Sequence, residues 1–133
     1  MKNELIWERL EGHLPPEMRQ YVLDLFSDCF DFSIPKYWRH IIADLVMMCY
    51  WRTNNYNKLI KIVQVKQKFG ALRLYIDGND DEFIYGAIQM AELQCARICA
   101  HCGSYGVDKE GLKFVSGVRR TRWNRKCEVC KDR

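Results

Sequence analysis

Two pairs of closely spaced thiols stand near the end of the chain, in Cys99-Ala100-His101-Cys102-Gly103 and Cys127-Glu128-Val129-Cys130. In a tight turn, cysteines at this spacing can reach one ion, and Gly103 lets the backbone bend sharply behind the first pair. Four thiolates match the tetrahedral preference of zinc, with Zn–S distances of about 2.3 Å, and leave no position for a catalytic water. The expectation is therefore one structural Zn2+ held by Cys99, Cys102, Cys127 and Cys130, with His101 beside the site or exposed. Four unmetallated thiols or a redox dithiol are the competing readings, but no thioredoxin-like βαβ pattern surrounds either pair.

A second group is cationic. Arg119, Arg120, Arg122, Trp123, Arg125 and Lys126 lie just before the second cysteine pair, with Lys131 and Arg133 beyond it. Cations interleaved with an aromatic suit phosphate contact plus base stacking, so this stretch is a candidate nucleic-acid or partner surface. In one continuous strand Arg120 and Arg122 would share a face while Trp123 pointed away, so a solvated face is the plainer alternative. A weaker candidate surface is Lys66, Arg73 and Tyr75 beside Phe69, and half-exposed strands commonly have this composition. The acids Asp80, Asp81 and Glu82 suit the positive end of a helix dipole. Glycine-rich phosphate loops are absent, and no nucleophile with a partner base stands out.

The elements that must position these residues follow from periodicity. Pro15-Pro16 before Glu17 opens a helix expected to run to about Cys29. The segment Phe30 to Pro35 reads as a break, because proline pushes the residue before it out of helical geometry. Trp38, Ile41, Ile42, Leu45 and Cys49 then share one face of a helix reaching about Arg52, ended by Thr53-Asn54-Asn55. Residues 59 to 77 read as a β-hairpin around Gln67-Lys68-Phe69-Gly70, with Lys66 opposite Ala71 and Gln64 opposite Arg73. Leu59, Val63, Val65, Leu72, Leu74 and Ile76 are expected on its buried face, and Gln64, Lys66, Arg73, Tyr75 and Ile62 on the other. Past Asp77-Gly78-Asn79, Asp80 caps a helix whose buried stripe is Ile84, Ile88, Ala91, Cys95 and Ile98. Cys49 and Cys95 are thereby core residues, as free cysteine usually is. The helix delivers the chain into Cys99. Between the cysteine pairs, Leu112 to Val115, a turn at Ser116-Gly117 and a returning strand from Val118 to Lys126 outline a zinc ribbon.

The chain of 133 residues is 48% hydrophobic, which suits one α+β domain with a real core. Helices packed on a β-hairpin would occupy 1–98 and a basic zinc-ribbon-like subdomain 99–133. The overall charge of +4 is unevenly placed: residues 1 to 96 carry 11 Lys/Arg against 13 Asp/Glu, and residues 97 to 133 carry 10 against 4. The basic character thus belongs to the segment with the thiol pairs. Seven cysteines, an odd number, fit reduced thiols around a metal better than a disulfide scaffold. The polar start MKNELIWERLEGH is no secretory leader and no run approaches a membrane span, so the cytoplasm is the expected compartment.

The run Val65 to Tyr75, VKQKFGALRLY, then Ala91-Glu92, then CxxCG at Cys99 to Gly103 with Gly106, resembles a group of small phage and prophage proteins. In these, a KFGxLRxY-like hairpin precedes a helix and a CxxCG zinc knuckle. Tyr37 to Ile42 resembles their aromatic-rich upstream segment, so the similarity spans about residues 37 to 130. Members often close the knuckle with a cysteine and a histidine, where this chain has Cys127 and Cys130. The resemblance implies a phage setting in a host cytoplasm, where such proteins bind a host protein, including components of host defence, or nucleic acid. The expected function is non-enzymatic binding of a host or viral protein. Nucleic-acid binding through the basic segment is the alternative, since low total charge and an acidic N-terminal part weaken it. An enzyme of unknown class comes third, and neither a small-molecule substrate nor a membrane is expected as partner.

Overall fold

The computed structural model describes residues 2–68, 70–77, 81–98, 118–120 and 125–127. Its first helix, α1 (Lys2–Leu10), is one that the sequence reading did not anticipate. Ile6, Trp7 and Leu10 recur at helical spacing and are buried, with Leu14 continuing the stripe beyond a 3-10 turn. The Asn3 side-chain amide donates to the Leu23 carbonyl at 3.1 Å, tying α1 to the following helix.

The helix expected from Pro16 to Cys29 is shorter. A 3-10 turn at Pro16–Met18 leads into α2 (Arg19–Leu25), which stops before Phe26 and Cys29, both buried. The expected break at Phe30 to Pro35 contains a short strand, β1 (Asp31–Ser33). Pro35 then opens a 3-10 turn, Lys36–Trp38, that passes into α3 (Arg39–Tyr56). This helix buries Ile41, Ile42, Ala43, Leu45, Val46 and Cys49, and Trp38 before it is wholly enclosed. It runs past Arg52 through Thr53-Asn54-Asn55 and ends where Asn57 turns left-handed at φ 52°. Asparagine tolerates that conformation better than most residues.

The hairpin is β2 (Lys61–Lys68) with β3 (Ala71–Asp77). Its register is two residues tighter than expected: Lys68 lies opposite Ala71 and Lys66 opposite Arg73. Gly70, at φ 80°, supplies the left-handed position the short loop requires. A slip of two leaves every side chain on its face, so Val65, Leu72 and Leu74 are buried as read. A slip of one does occur farther down. Ile62 pairs with Ile76 and Gln64 with Tyr75, leaving Val63 as a bulge. The bulge turns Ile62 into the core and Val63 part-way out. Leu59 precedes the strand and is 74% exposed, outside the face assigned to it.

β1 pairs in parallel with β2, giving a three-stranded sheet in the order β1-β2-β3, and α3 makes the crossover that parallel pairing needs. α4 (Glu82–Ala96) packs on α3 and β3 and buries Ile84, Ala87, Ile88, Ala91 and Cys95, with Ile98 enclosed just beyond it. The chain is α+β, with one hydrophobic core running from Ile6 to Ile98. Among the described residues no helix is long and apolar enough to cross a membrane.

A separate two-stranded sheet pairs β4 (Val118–Arg120) antiparallel with β5 (Arg125–Cys127). The stretch from Val118 to Lys126, read as one returning strand toward Cys127, holds β4 and most of β5, which pair with each other. Leu112 to Val115, the turn at Ser116-Gly117 and 121–124 lie outside the described residues.

Candidate functional site

Of the four expected zinc ligands, Cys99, Cys102 and Cys130 lie outside the described residues. The backbone of Cys127 ends β5, opposite Val118. The other three cysteines are spoken for by the core: Cys29 in the connection between α2 and β1, Cys49 on α3 and Cys95 on α4 are all buried. Among the described residues no cluster of three or more His, Cys, Asp or Glu could hold a metal. Cys49 and Cys95 behave as small apolar side chains, and burial pushes the thiol of Cys49 up to about 12, with the charge of Asp81 adding to the effect. Burial, and secondarily Glu92, raises that of Cys95 as well. Near pH 8.5, where an ordinary thiol is about half ionised, peptide mapping after alkylation of the folded protein should find both unmodified. Modification at the rate of a free thiol would contradict their enclosure.

Of the cationic stretch, the register sets Arg119 opposite Lys126 and Arg120 opposite Arg125. Arg122 and Trp123 lie outside the described residues. On the first hairpin, Lys66 and Arg73 are direct cross-strand neighbours and Tyr75, 49% exposed, follows two residues along the same face. The observed register thus brings Lys66, Arg73 and Tyr75 together on one face, while Phe69 lies outside the described residues.

The site the sequence did not reveal lies between α3 and α4. A groove of about 710 Å³ runs between them. Its floor is low because α4 presents Gly86, Ala87 and Ala91 there, and its walls are Met48, Phe83 and Met90. A Cβ built on Gly86 would meet nothing within 4 Å, so the missing side chain leaves open space rather than relieving a clash. Asp44 and Glu82 are the only formally charged side chains in the lining, and among the described residues neither forms an ion pair. Trp51, Met47 and Leu93 are also large and exposed on the same two helices.

One end of the groove is fastened by a pair that spans 29 residues of sequence. Arg52 on α3 grips Asp81 at the start of α4 with two hydrogen bonds of 2.8 Å, from Nε and Nη2. Asp81 is buried, and its carboxylate also accepts from the Phe83 backbone N–H at 3.1 Å. The helix cap is therefore Asp81, one residue later than the expected Asp80, which lies outside the described residues. The guanidinium lies over the rings of Tyr56 and Phe83, 4.3 and 4.8 Å from their centroids. Hydrogen bonding to Arg52 holds the Asp81 carboxyl below the usual carboxylate range, and the same contact raises Arg52. No known protein family, characterised protein or solved structure matches the chain.

An arginine held by two hydrogen bonds to a buried carboxylate is a fixture. Planar, charged and stacked between rings, it locks α3 to α4 and holds Phe83 at the groove wall. The chemistry on offer in the groove is apolar contact with soft, adaptable methionines, edged by two carboxylates.

Proposed function

We propose that the protein is a non-enzymatic binding module that takes a helix of a partner protein into the α3–α4 groove. The observation that carries this reading is the groove itself, floored by small residues and walled by Met48, Phe83 and Met90. Grooves of this kind receive the apolar face of an amphipathic helix, and methionine walls adapt to it. Asp44 and Glu82 favour a helix whose apolar face is bordered by Lys or Arg. The resemblance to small phage proteins supports a host or viral protein as the partner, and a host-defence component inhibited by capture is one such partner. Zinc on Cys99, Cys102, Cys127 and Cys130 serves this reading as a structural element of the basic segment.

The test turns on Gly86. Alanine there should raise the unfolding free energy by about 0.5–1 kcal/mol, because it removes the cost of glycine within a helix and meets no neighbour. Tryptophan there should fill the groove without disturbing the core. Native mass spectrometry of wild type and Gly86→Trp after incubation with host lysate reads the outcome. A co-purifying protein retained by the wild type and lost from the folded Gly86→Trp variant supports the groove, and one retained equally by both removes it.

Nucleic-acid binding is the second reading, favoured by the β4–β5 register that sets cation opposite cation, an arrangement that a phosphate would relieve. Affinity that falls steeply with salt and is lost on charge reversal at Arg119, Arg120 and Arg122 would put it first. Turnover that survives purification and is abolished by one side-chain change would instead make the protein an enzyme.

A further inference from the structure

On the other side of α3, near its first turn, lies a recess of about 540 Å³ between α1, β1 and the end of β2. Arg9, Arg39 and Gln67 line it with Ser33, and Phe32 and Pro35 form part of its wall. No carboxylate belongs to this lining, which carries two formal positive charges. Arg9 spends only Nη1, on the Phe32 carbonyl at 3.1 Å. Arg39 Nε and Gln67 Nε2 are buried donors with no acceptor among the described residues. Burying a donor without an acceptor is costly, and native structures rarely tolerate two in one place unless something else accepts from them. The nearby helix end adds to the imbalance. Neither the 3-10 turn at Lys36–Trp38 nor α3 has a side-chain cap or an acid in its first turn, so its positive end also faces this region uncompensated.

The Ser33 hydroxyl is already spent on the Asp31 carboxylate at 2.7 Å, but the two unpartnered donors and the two guanidinium charges of the recess call for an anion with several acceptor oxygens. We propose that it binds the phosphate group of a small organic phosphate ester, with Arg39 and Gln67 donating to its oxygens and Arg9 completing the charge. Two guanidinium groups with no acid between them favour a dianion over a carboxylate, and donors arriving from three elements suit a tetrahedral group. The organic part of the ester has Phe32 and Pro35 to lie against. This site is independent of the α3–α4 groove and of any partner held there.

The experiment is an NMR titration of the full chain with phenyl phosphate, inorganic phosphate and benzoate, following the arginine Nε–H signals, with thermal unfolding in parallel. Phenyl phosphate should move the Arg39 Nε–H signal and raise the melting temperature, with inorganic phosphate acting more weakly. Arg39→Met should weaken binding by about tenfold or more, and Gln67→Ala by a smaller factor. Without ligand, Arg39→Met should melt no lower than wild type, since its buried Nε has no acceptor to lose. Arg9→Met supplies a second variant should Arg39→Met fail to fold. Phosphate binding unchanged in these variants would place the anion elsewhere, for instance on the basic residues 119–126, and overturn the proposal. Benzoate binding as tightly as phenyl phosphate would overturn the choice of phosphate, and no response at Arg39 to any of the three would overturn the site.

Discussion

Removing metal from the purified protein is expected to abolish amide-hydrogen protection across residues 99–133 while leaving α3, α4 and the β2–β3 hairpin protected. The expectation rests on how the cysteines divide. Three of the seven are committed to the core, where Cys49 and Cys95 are wholly enclosed. The remaining CxxC pairs stand in a segment, residues 99–133, with 13 Lys, Arg, Asp and Glu and only nine apolar side chains besides its four cysteines. Such a segment cannot bury enough apolar surface to fix itself, and a two-stranded sheet such as β4–β5 is marginal without further support. Zinc on four thiolates supplies on the order of 10 kcal/mol or more to the folding of a segment it closes, far above any single side-chain contact. The core from Ile6 to Ile98 is expected to stand without such an ion, because none of the four proposed ligands belongs to its hydrophobic cluster.

Three measurements make the point separable. Elemental analysis should give one zinc per chain. Cobalt substitution should give the intense sulfur-to-metal absorption of tetrathiolate coordination, and replacing Cys102 or Cys127 by serine should weaken both metal retention and tail protection. A chelated protein whose residues 99–133 keep their exchange protection would show that the thiols are not metal ligands, whatever their spacing suggests.

The parts of this fold that were legible beforehand are those whose information is local. The stripes on α3 and α4 are written at helical spacing, and Cys49 and Cys95 could be assigned to the core because they fall on them. The hairpin was legible in outline, and its two-residue register error did no harm to the faces, since side-chain direction repeats every second residue. The bulge at Val63 did harm, because one unpaired residue exchanges Ile62 and Val63 and no alternating pattern announces it. β1 is three residues long and exists only because β2, some thirty residues on, is there to pair with it. α1 carries a readable stripe in Ile6, Trp7 and Leu10, hidden among charges that made the start look merely polar. The groove and the phosphate recess needed the helices and strands to be placed first. Asp81 was visible only as one of three acids suited to a helix dipole, and nothing near it in sequence pointed to Arg52.

That pair gives the second large effect. Asp81→Ala is expected to destabilise the protein by about 2–3 kcal/mol, measured by urea unfolding. Loss of the helix cap alone accounts for about 1 kcal/mol. The rest arises because Arg52 is left against Tyr56 and Phe83 without its counterion, while its partial exposure keeps the total below the roughly 3–5 kcal/mol of a fully buried pair. The carboxyl's folded pKa is lowered from 3.8, chiefly by the hydrogen bonds from Arg52. A lowered folded pKa means that the stabilisation is fully present above the ordinary carboxylate value and is lost as the pH falls through it toward the native value. Wild type should therefore lose more stability than Asp81→Asn between about pH 5 and pH 3. The neutral amide still caps α4 and still fits between the same groups, so it isolates the charge. Equal acid sensitivity in the two proteins would mean that the carboxylate is no more stable beside Arg52 than in water. Because the same pair fixes the distance between α3 and α4, Asp81→Ala should also weaken capture of a partner at the groove, although Asp81 lies outside its lining.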